Sequence, residues 1–341
     1  MNLVKPAANE HRSSMKSLAI MVILGLLIIV AFIISMNSGY IKLSPLQVLK
    51  TLFGGGTAKE SLILFDFRLP RIVISVLVGA GLAVSGCILQ GITRNGLADP
   101  SILGIVSGAG LVVVLFISYF PSTSPSSVFL LPFLAFVGAS LTAALIYALA
   151  FKKGEGISPI RLLLNGIGVS AGISAAMLVL TLRMSPENYK FVAVWLAGSI
   201  WGTSWKFVIA LFPWIVILLP FSFYKARVLN VLNLNEQTAA GLGAPIEKER
   251  LFLLATAVGL AGSCVAVSGG IGFVGLIGPH LARRLVGPKH QLLLPTSALA
   301  GGLLLIIADT LARSIADIPT GVVVAIIGAP YFLYLLARSK A

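Results

Sequence analysis

Long runs of apolar residues, separated by short polar segments, extend from residue 18 to the end of the chain. A helix needs about 20 apolar residues to cross the hydrocarbon core of a bilayer. A membrane β-barrel would instead alternate apolar and polar residues along each strand. The pattern therefore predicts an all-α polytopic membrane protein, with ten spans near 18–36, 72–92, 102–120, 128–151, 161–182, 207–224, 251–268, 271–286, 291–312 and 321–337.

The eighth of these spans, 271–286, is the weakest. It is short and glycine-rich and carries Pro279, so we expect a broken or partial span. Non-helical backbone at membrane depth is tolerated only where protein buries it or where it lines a cavity. Ten spans leave no room for a soluble domain. We predict a cytoplasmic N-terminal segment, 1–17, followed by one transmembrane domain, 18–341, with an inner polar segment near 225–250.

Composition excludes a large soluble enzyme. Of the 341 residues, 57% are hydrophobic and 11% are charged, whereas soluble domains are roughly 45–50% apolar and about 25% charged. The net charge of +14 would favour a nucleic-acid partner in a soluble domain, but in a membrane protein it marks cytoplasmic loops. We therefore predict contact with membrane lipid and no nucleic-acid partner.

The positive charges also predict an orientation. If the N-terminus is cytoplasmic, the inner segments hold 16 of the 25 lysines and arginines, and the outer segments hold the other nine. Since cytoplasmic loops are enriched in these residues, we expect both termini in the cytoplasm.

The inner polar segment contains a short predicted helix, about 236–242. Asn233 or Asn235 can cap its start through a side-chain oxygen, and Gly243 and Pro245 favour its end. Small residues give this helix a surface that another protein can approach closely. The alternative is an ordinary solvated loop helix.

Three arginines on the predicted outer face are unexpected, because positive charge is depleted there. Arg68 and Arg71 precede the second span, and Arg313 ends the ninth. A partner that bears carboxylates would account for them, and the alternative is snorkelling of long cationic side chains at the interface. An i,i+4 ion pair with Arg313 is the simplest role for Asp309.

Four fragments together resemble the FecCD/BtuC-type permease family. They are RLPRIVISVLVGAGLAVSGCILQGITRNGLADPSILGIVSGAG (68–110), WLAGS (195–199), GGIGFVGLIGPHLARRLVGPKH (269–290) and IPTGVVVAIIGAPYFLYLL (318–336). The resemblance extends from about residue 20 to the end. It implies a BtuC-like fold in a bacterial cell membrane, in which two permease subunits, identical or paralogous, surround a central pathway. It also implies two separate ABC ATPase subunits and an extracytoplasmic solute-binding protein. The chain has no G-x-x-x-x-G-K-[ST] phosphate loop, so we do not expect it to be an enzyme.

The resemblance also assigns roles to individual residues. It implies that Arg68, Arg71 and Arg313 meet carboxylates of the binding protein. It implies that the cytoplasmic gate includes Asn95, Leu97, Ser158 and Ile160. Family members often have Asn-Pro-Leu where this chain has Asn95-Gly96-Leu97, which makes the gate turn less rigid. The residues that would couple to the ATPase are Asn235, Glu236, Thr238, Ala239, Ala240, Gly241, Leu242 and Gly243.

The fifth span is unusually polar, with Asn165 and Ser170. These side chains either line the pathway or form polar contacts between packed helices. His280 has no histidine or cysteine at a ligand spacing, so a structural role is favoured. We predict no metal site and no cofactor.

Iron–siderophore transport is the expected function, because it is the commonest in the family, and cobalamin or haem import is the alternative. A secondary transporter driven by an ion gradient is the hypothesis from another class. It would require paired carboxylates or a proton relay near the bilayer centre, and only Asp309 lies well within a span.

Overall fold

The computed structural model describes residues 6–39, 43–120, 127–152, 156–234, 246–315 and 318–338. These residues are almost entirely helical, since a helix satisfies each backbone N–H and C=O within its own segment in a bilayer. The α-helices in chain order are α1 Pro6–Asn37, α2 Pro45–Leu52, α3 Ala58–Ser61, α4 Leu69–Thr93, α5 Ile105–Tyr119, α6 Ser127–Ala150, α7 Pro159–Thr181, α8 Pro186–Leu196, α9 Trp205–Tyr224, α10 Ala226–Leu232, α11 Ile246–Ser268, α12 Val274–Val286, α13 His290–Ile315 and α14 Thr320–Arg338.

Three smaller features complete the secondary structure of the described residues. A π-helix, Leu62–Arg68, joins α3 to α4, and a 3-10 helix, Pro100–Leu103, lies between α4 and α5. Two antiparallel strands, β1 Phe151–Lys152 and β2 Gly156–Ile157, connect α6 to α7.

Each of the ten predicted spans coincides with a helix, so the all-α prediction is confirmed. Within the described residues, seven helical stretches are long and apolar enough to cross a membrane, and α5 and α14 are shorter apolar helices. The chain is therefore a multi-pass membrane protein. The eighth predicted span is α12, which has 13 residues. At 1.5 Å per residue it is about 20 Å long, less than the roughly 30 Å of hydrocarbon, in agreement with the expected partial span.

Helix α4 lies inside the bundle and packs against α11, α12 and α13. Glycines make these contacts close. Gly79 faces the backbone of Gly301 in α13, and Gly86 faces that of Gly275 in α12. A methyl group at either position would overlap a backbone atom of the other helix. Small residues allow such close approach between membrane helices.

The chain between α11 and α12 is not helical. Phe273 has a φ of 65°, which is rare for a bulky residue. The amide of Gly270 donates a hydrogen bond to the carbonyl oxygen of Trp195 at 3.2 Å, and the amide of Gly321 donates to that of Gly198 at 2.8 Å. The end of α8 and the loop after it therefore join this break to the start of α14.

Short helices occupy two polar segments that the hydropathy pattern left unassigned. Ser44 and Gln47 form a reciprocal capping box at the start of α2, and Thr57 and Glu60 form another at the start of α3. In this motif each side chain accepts a hydrogen bond from the other residue's backbone N–H. These helices are too short to produce the long apolar run of a span.

Candidate functional site

The three arginines predicted for docking lie together with Asp309, and we call these four residues the outer arginine cluster. Arg68 ends the π-helix, Arg71 lies in the first turn of α4 and Arg313 in the last turn of α13. Asp309 is completely buried. Its Oδ1 accepts a hydrogen bond from Arg71 Nε at 2.9 Å, and its Oδ2 lies 3.2 Å from Arg313 Nε. The predicted i,i+4 ion pair is present, and Arg71 is a second partner from another helix.

Two of these arginines also bind the end of α1. Arg68 Nη1 donates to the carbonyl oxygen of Met36. Arg313 donates to the carbonyl oxygen of Ser38 at 3.4 Å and to the hydroxyl of Ser35. The last carbonyl groups of a helix have no partner within it, and cations are favourable at that end. The cluster therefore caps α1 as well as joining α4 to α13.

Burial changes the interpretation of these arginines. Arg68 is 5% exposed and Arg71 is 9% exposed. Asp309 supplies a carboxylate for Arg71 and Arg313 from within the chain, so a partner protein is not needed to account for these two arginines. The docking role of the three arginines stays a prediction.

The predicted gate turn follows α4. Arg94 ends the helix in the left-handed conformation, with φ of 51°. The Asn95 side-chain oxygen accepts a hydrogen bond from the amide of Leu97 at 3.0 Å, as is typical of an Asx-turn. The turn is thus held by Asn95, although Gly96 stands where the family often has proline. Leu97 packs against the Leu276–Ile277 pair of α12.

An acidic residue lies just beyond this turn. Asp99 Oδ1 accepts hydrogen bonds from the amide of Ser101 at 3.0 Å and from its hydroxyl at 2.6 Å. Burial raises the pKa of Asp99, and these hydrogen bonds oppose the rise. The side chain serves as the N-cap of the 3-10 helix, which is a structural role.

The second predicted part of the gate is the start of α7. Ser158 is its N-cap residue, and Ile160 is 68% exposed. A large apolar side chain in this position can contact lipid or a second subunit. The gate role of both residues stays a prediction.

Further along α7, the two polar residues differ. Asn165 is half-buried. The Ser170 hydroxyl is buried near Gly104 at the start of α5, on the same face as Gly166, which contacts the carbonyl of Ile102. Ser170 therefore lies on the packed face of the helix in the single subunit, which favours the packing alternative, and its pathway role stays a prediction.

The predicted coupling residues, 235–243, lie outside the described residues, but both flanks are described. Lys225, after α9, places its Nζ 2.8 Å from both carboxylate oxygens of Glu249 in α11. This ion pair joins the two helices from which the inner polar segment leaves and returns.

Helix α10, which precedes the coupling residues, is tied to α4 and α13 by what we call the α10 junction: Arg94, Asn230, Leu232, His290 and Gln291. The Asn230 side-chain oxygen accepts a hydrogen bond from the amide of His290 at 3.0 Å and lies 2.8 Å from its Nδ1. Asn230 Nδ2 donates to Gln291 Oε1 at 2.7 Å. Arg94 Nε donates to the carbonyl oxygen of Leu232 at 3.0 Å.

Packing supports this junction. Leu229 and His290 are completely buried, and both lie close to Gly91 in α4. Sequence reasoning missed these residues. Asn230 stood in a polar segment and His290 at a span boundary, and no local pattern pairs two positions 60 residues apart.

Comparison with known proteins decides the family. The FecCD transport family matches residues 27–338. The chain belongs to this family. It is 53% identical to the iron(3+)-hydroxamate import system permease protein FhuG of Bacillus subtilis (strain 168), over 95% of this chain and 98% of that protein. It is 43% identical to the cobalamin import system permease protein BtuC of Halobacterium salinarum, over 79% of this chain and 72% of that protein.

A solved structure has the same fold. It is an ABC transporter assigned to the metal-chelate type, in an inward-facing conformation. It is 33% identical to this chain with a TM-score of 0.83, and the match covers 94% of this chain and 99% of the other. The predicted FecCD membership and BtuC-like permease fold are therefore confirmed. The relatives are permease subunits, which are not themselves enzymes.

Proposed function

We propose that this chain is the permease subunit of a binding-protein-dependent ABC importer that carries a ferric chelate, with hydroxamate siderophores as the preferred class. The observation that carries the proposal is the 53% identity to an iron(3+)-hydroxamate permease over nearly the whole of both chains. Cobalamin is the second candidate, supported by the 43% identity to a cobalamin permease. That match covers 72% of the relative, so it is the weaker of the two.

The energy source in this proposal is a pair of separate ATPase subunits. They would bind the inner polar segment, with both termini of the permease in the cytoplasm, as the distribution of lysine and arginine favours. Nucleotide binding in the ATPases would move this segment relative to the bundle. The ion-gradient alternative is not retained, because the chain belongs to the FecCD family and Asp309 is already held by two arginines.

A solute-binding protein would dock at the outer arginine cluster. The planar fork of arginine supports this, because it can bind a carboxylate with two parallel hydrogen bonds. Because the guanidinium groups have partners inside the subunit, docking would need a local exchange of partners rather than simple contact. Specificity for the chelate would reside mainly in the binding protein, since the pathway must also release it.

A second permease subunit would cover the exposed face of α7. Gly168 and Gly172 lie one turn apart on that face, and a methyl group at either would meet no atom within 4 Å in the single subunit. Small residues spaced by four allow two membrane helices to approach closely. Asn165 and Ile160, near this face, would then lie at the pathway between the subunits.

Uptake assays test the proposal. A strain that lacks the permease is compared with the same strain carrying the wild-type gene, using radiolabelled ferric hydroxamate, ferric citrate and cobalamin. We expect loss of hydroxamate uptake in the deletion strain and its restoration by the gene. Uptake should persist with a protonophore and stop when ATP is depleted. Unchanged hydroxamate uptake in the deletion strain would reject the iron assignment, and loss of cobalamin uptake alone would establish the second candidate.

A further inference from the structure

The carboxylate of Asp309 joins the outer arginines to a third helix. Its Oδ1 accepts a hydrogen bond from the hydroxyl of Thr320 at 3.1 Å, in addition to that from Arg71. Thr320 is the first residue of α14, and it is completely buried. The Oδ1 atom of Asp309 therefore bonds to both α4 and α14. Its Oδ2 atom lies close to Arg313, which is in α13 like Asp309 itself.

The start of α14 is also held on its other side. The amide of Gly321 donates to the carbonyl oxygen of Gly198 at 2.8 Å, and a methyl group on Gly321 would overlap the carbonyl of Ala197. At the end of α8, just before this loop, the carbonyl oxygen of Trp195 accepts a hydrogen bond from the amide of Gly270, in the break between α11 and α12. A continuous set of contacts thus runs from the outer arginine cluster, through Asp309 and Thr320, to that break.

We propose that Asp309 is a positioning residue that orients Arg71 and Arg313 for docking and passes the docked state, through Thr320, to the start of α14. The proposal rests on the proposed function, in which a binding protein docks at the outer arginine cluster. It extends that function, because it names the residues through which docking acts on the transmembrane helices.

The physical argument is competition for the guanidinium groups. A carboxylate of the docked protein that draws Arg71 or Arg313 outward takes a partner from Asp309. A buried carboxylate without its partners is costly, so Asp309 and the groups bound to it must rearrange together. A ligand shifts a conformational equilibrium only by its difference in affinity for the two states. Because Asp309 is hydrogen-bonded to Thr320, the affinity of the transporter for the docked protein depends on the position of α14.

The deciding variant is Thr320→Val, which has nearly the same shape and removes only the hydroxyl. Its matched control is Thr310→Val, since the Thr310 hydroxyl donates within its own helix, to the carbonyl oxygen of Ile306. The full transporter, with its ATPases, is placed in lipid nanodiscs. Affinity for the binding protein loaded with a ferric hydroxamate and the ATP hydrolysis it stimulates are then measured.

For Thr320→Val we expect affinity within about twofold of wild type and stimulated hydrolysis lowered about three- to tenfold, the size of effect that one buried hydrogen bond can produce. Thr310→Val should leave both unchanged. Equal stimulation in wild type and Thr320→Val would overturn the inference. So would an equal loss in both threonine variants, because the effect would not then belong to Asp309.

Arg68→Gln separates failure of this inference from failure of the docking proposal. Arg68 belongs to the cluster and donates a hydrogen bond to the end of α1. If Arg68→Gln weakens binding while Thr320→Val behaves as wild type, docking stands and transmission through Asp309 fails. If Arg68→Gln and Asp309→Asn both bind as tightly as wild type, docking at this cluster is itself rejected.

Discussion

The outer arginine cluster and the α10 junction hold opposite ends of the same two helices, α4 and α13, by different chemistry. At the outer end, a fully buried carboxylate lies between guanidinium groups of Arg71 and Arg313. At the inner end, neutral hydrogen bonds from Asn230 and one bond from Arg94 to a backbone carbonyl tie α10 to the bundle.

This difference in chemistry indicates where the bundle resists change and where it can rearrange. Removing one partner of a buried ion pair strands a charge away from water, which is strongly destabilising. A single neutral hydrogen bond contributes roughly 0.5–1.5 kcal/mol net, so contacts of that kind can exchange during a transport cycle. The outer end should therefore rearrange only when a docked protein supplies a replacement carboxylate, whereas the inner end can follow the movement of a neighbouring segment.

The largest effect is expected for Asp309→Ala. The substitution removes the carboxylate that pairs with Arg71 and Arg313 in a buried site, and loss of such a partner costs about 3–5 kcal/mol. Thermal unfolding of the purified subunit in detergent measures the loss. Asp66→Ala is the control, because Asp66 is exposed in the neighbouring π-helix. Equal stability of the two variants would show that the buried ion pairs of the outer arginine cluster do not stabilise the subunit.

A smaller effect is expected for Asn230→Ala at the inner end. It removes the hydrogen bonds to His290 and Gln291 and leaves polar groups of a buried histidine unsatisfied, at a cost of about 1–3 kcal/mol. The same unfolding assay applies, with Asn233→Ala as control, since Asn233 is exposed just after α10. A loss as large as that of Asp309→Ala would erase the contrast between the two ends.

The ion pair between Lys225 and Glu249, which flanks the inner polar segment, should contribute less to the stability of the subunit. The side chains of Lys225 and Glu249 are 17% and 16% exposed, and pairs that water can reach are typically worth about 0–1 kcal/mol. We expect Glu249→Gln to lower stability by no more than this amount. The difference from wild type should shrink as salt is raised, because ions screen exposed pairs. A loss that is large and independent of salt would contradict the comparison.

The smallest effect is expected for Arg94→Gly. The variant loses the bond to the Leu232 carbonyl, but glycine adopts a φ of 51° without strain, so stability should stay within about 1 kcal/mol of wild type. Arg94→Ala loses the same hydrogen bond but keeps a Cβ atom in the left-handed conformation, so it should be less stable than the glycine variant. Equal stability of the two variants would mean that the left-handed backbone at Arg94 carries no cost.

Much of the helical layout was predictable, because apolar runs of span length and proline or glycine at their ends are local signals. The helices of the ten predicted spans and the pairing of Asp309 with Arg313 were found in this way. The pairing of Arg71 with Asp309 was not, since the two residues are 238 positions apart. The sequence did not decide between the two alternatives for Ser170 either, because packing against other helices sets the rotation of α7.

Composition and hydropathy alone identified a membrane bundle, and four motifs alone identified its family, because both are properties of residues close together in the chain. Only the folded bundle decided which polar groups meet. In a lipid environment nearly every face of a helix is apolar, so amphipathic periodicity does not reveal how a helix is rotated against its neighbours. Close packing at positions such as Gly79 and Gly86 determines that rotation. The buried carboxylate of Asp309 and the junction at Asn230 are consequences of it.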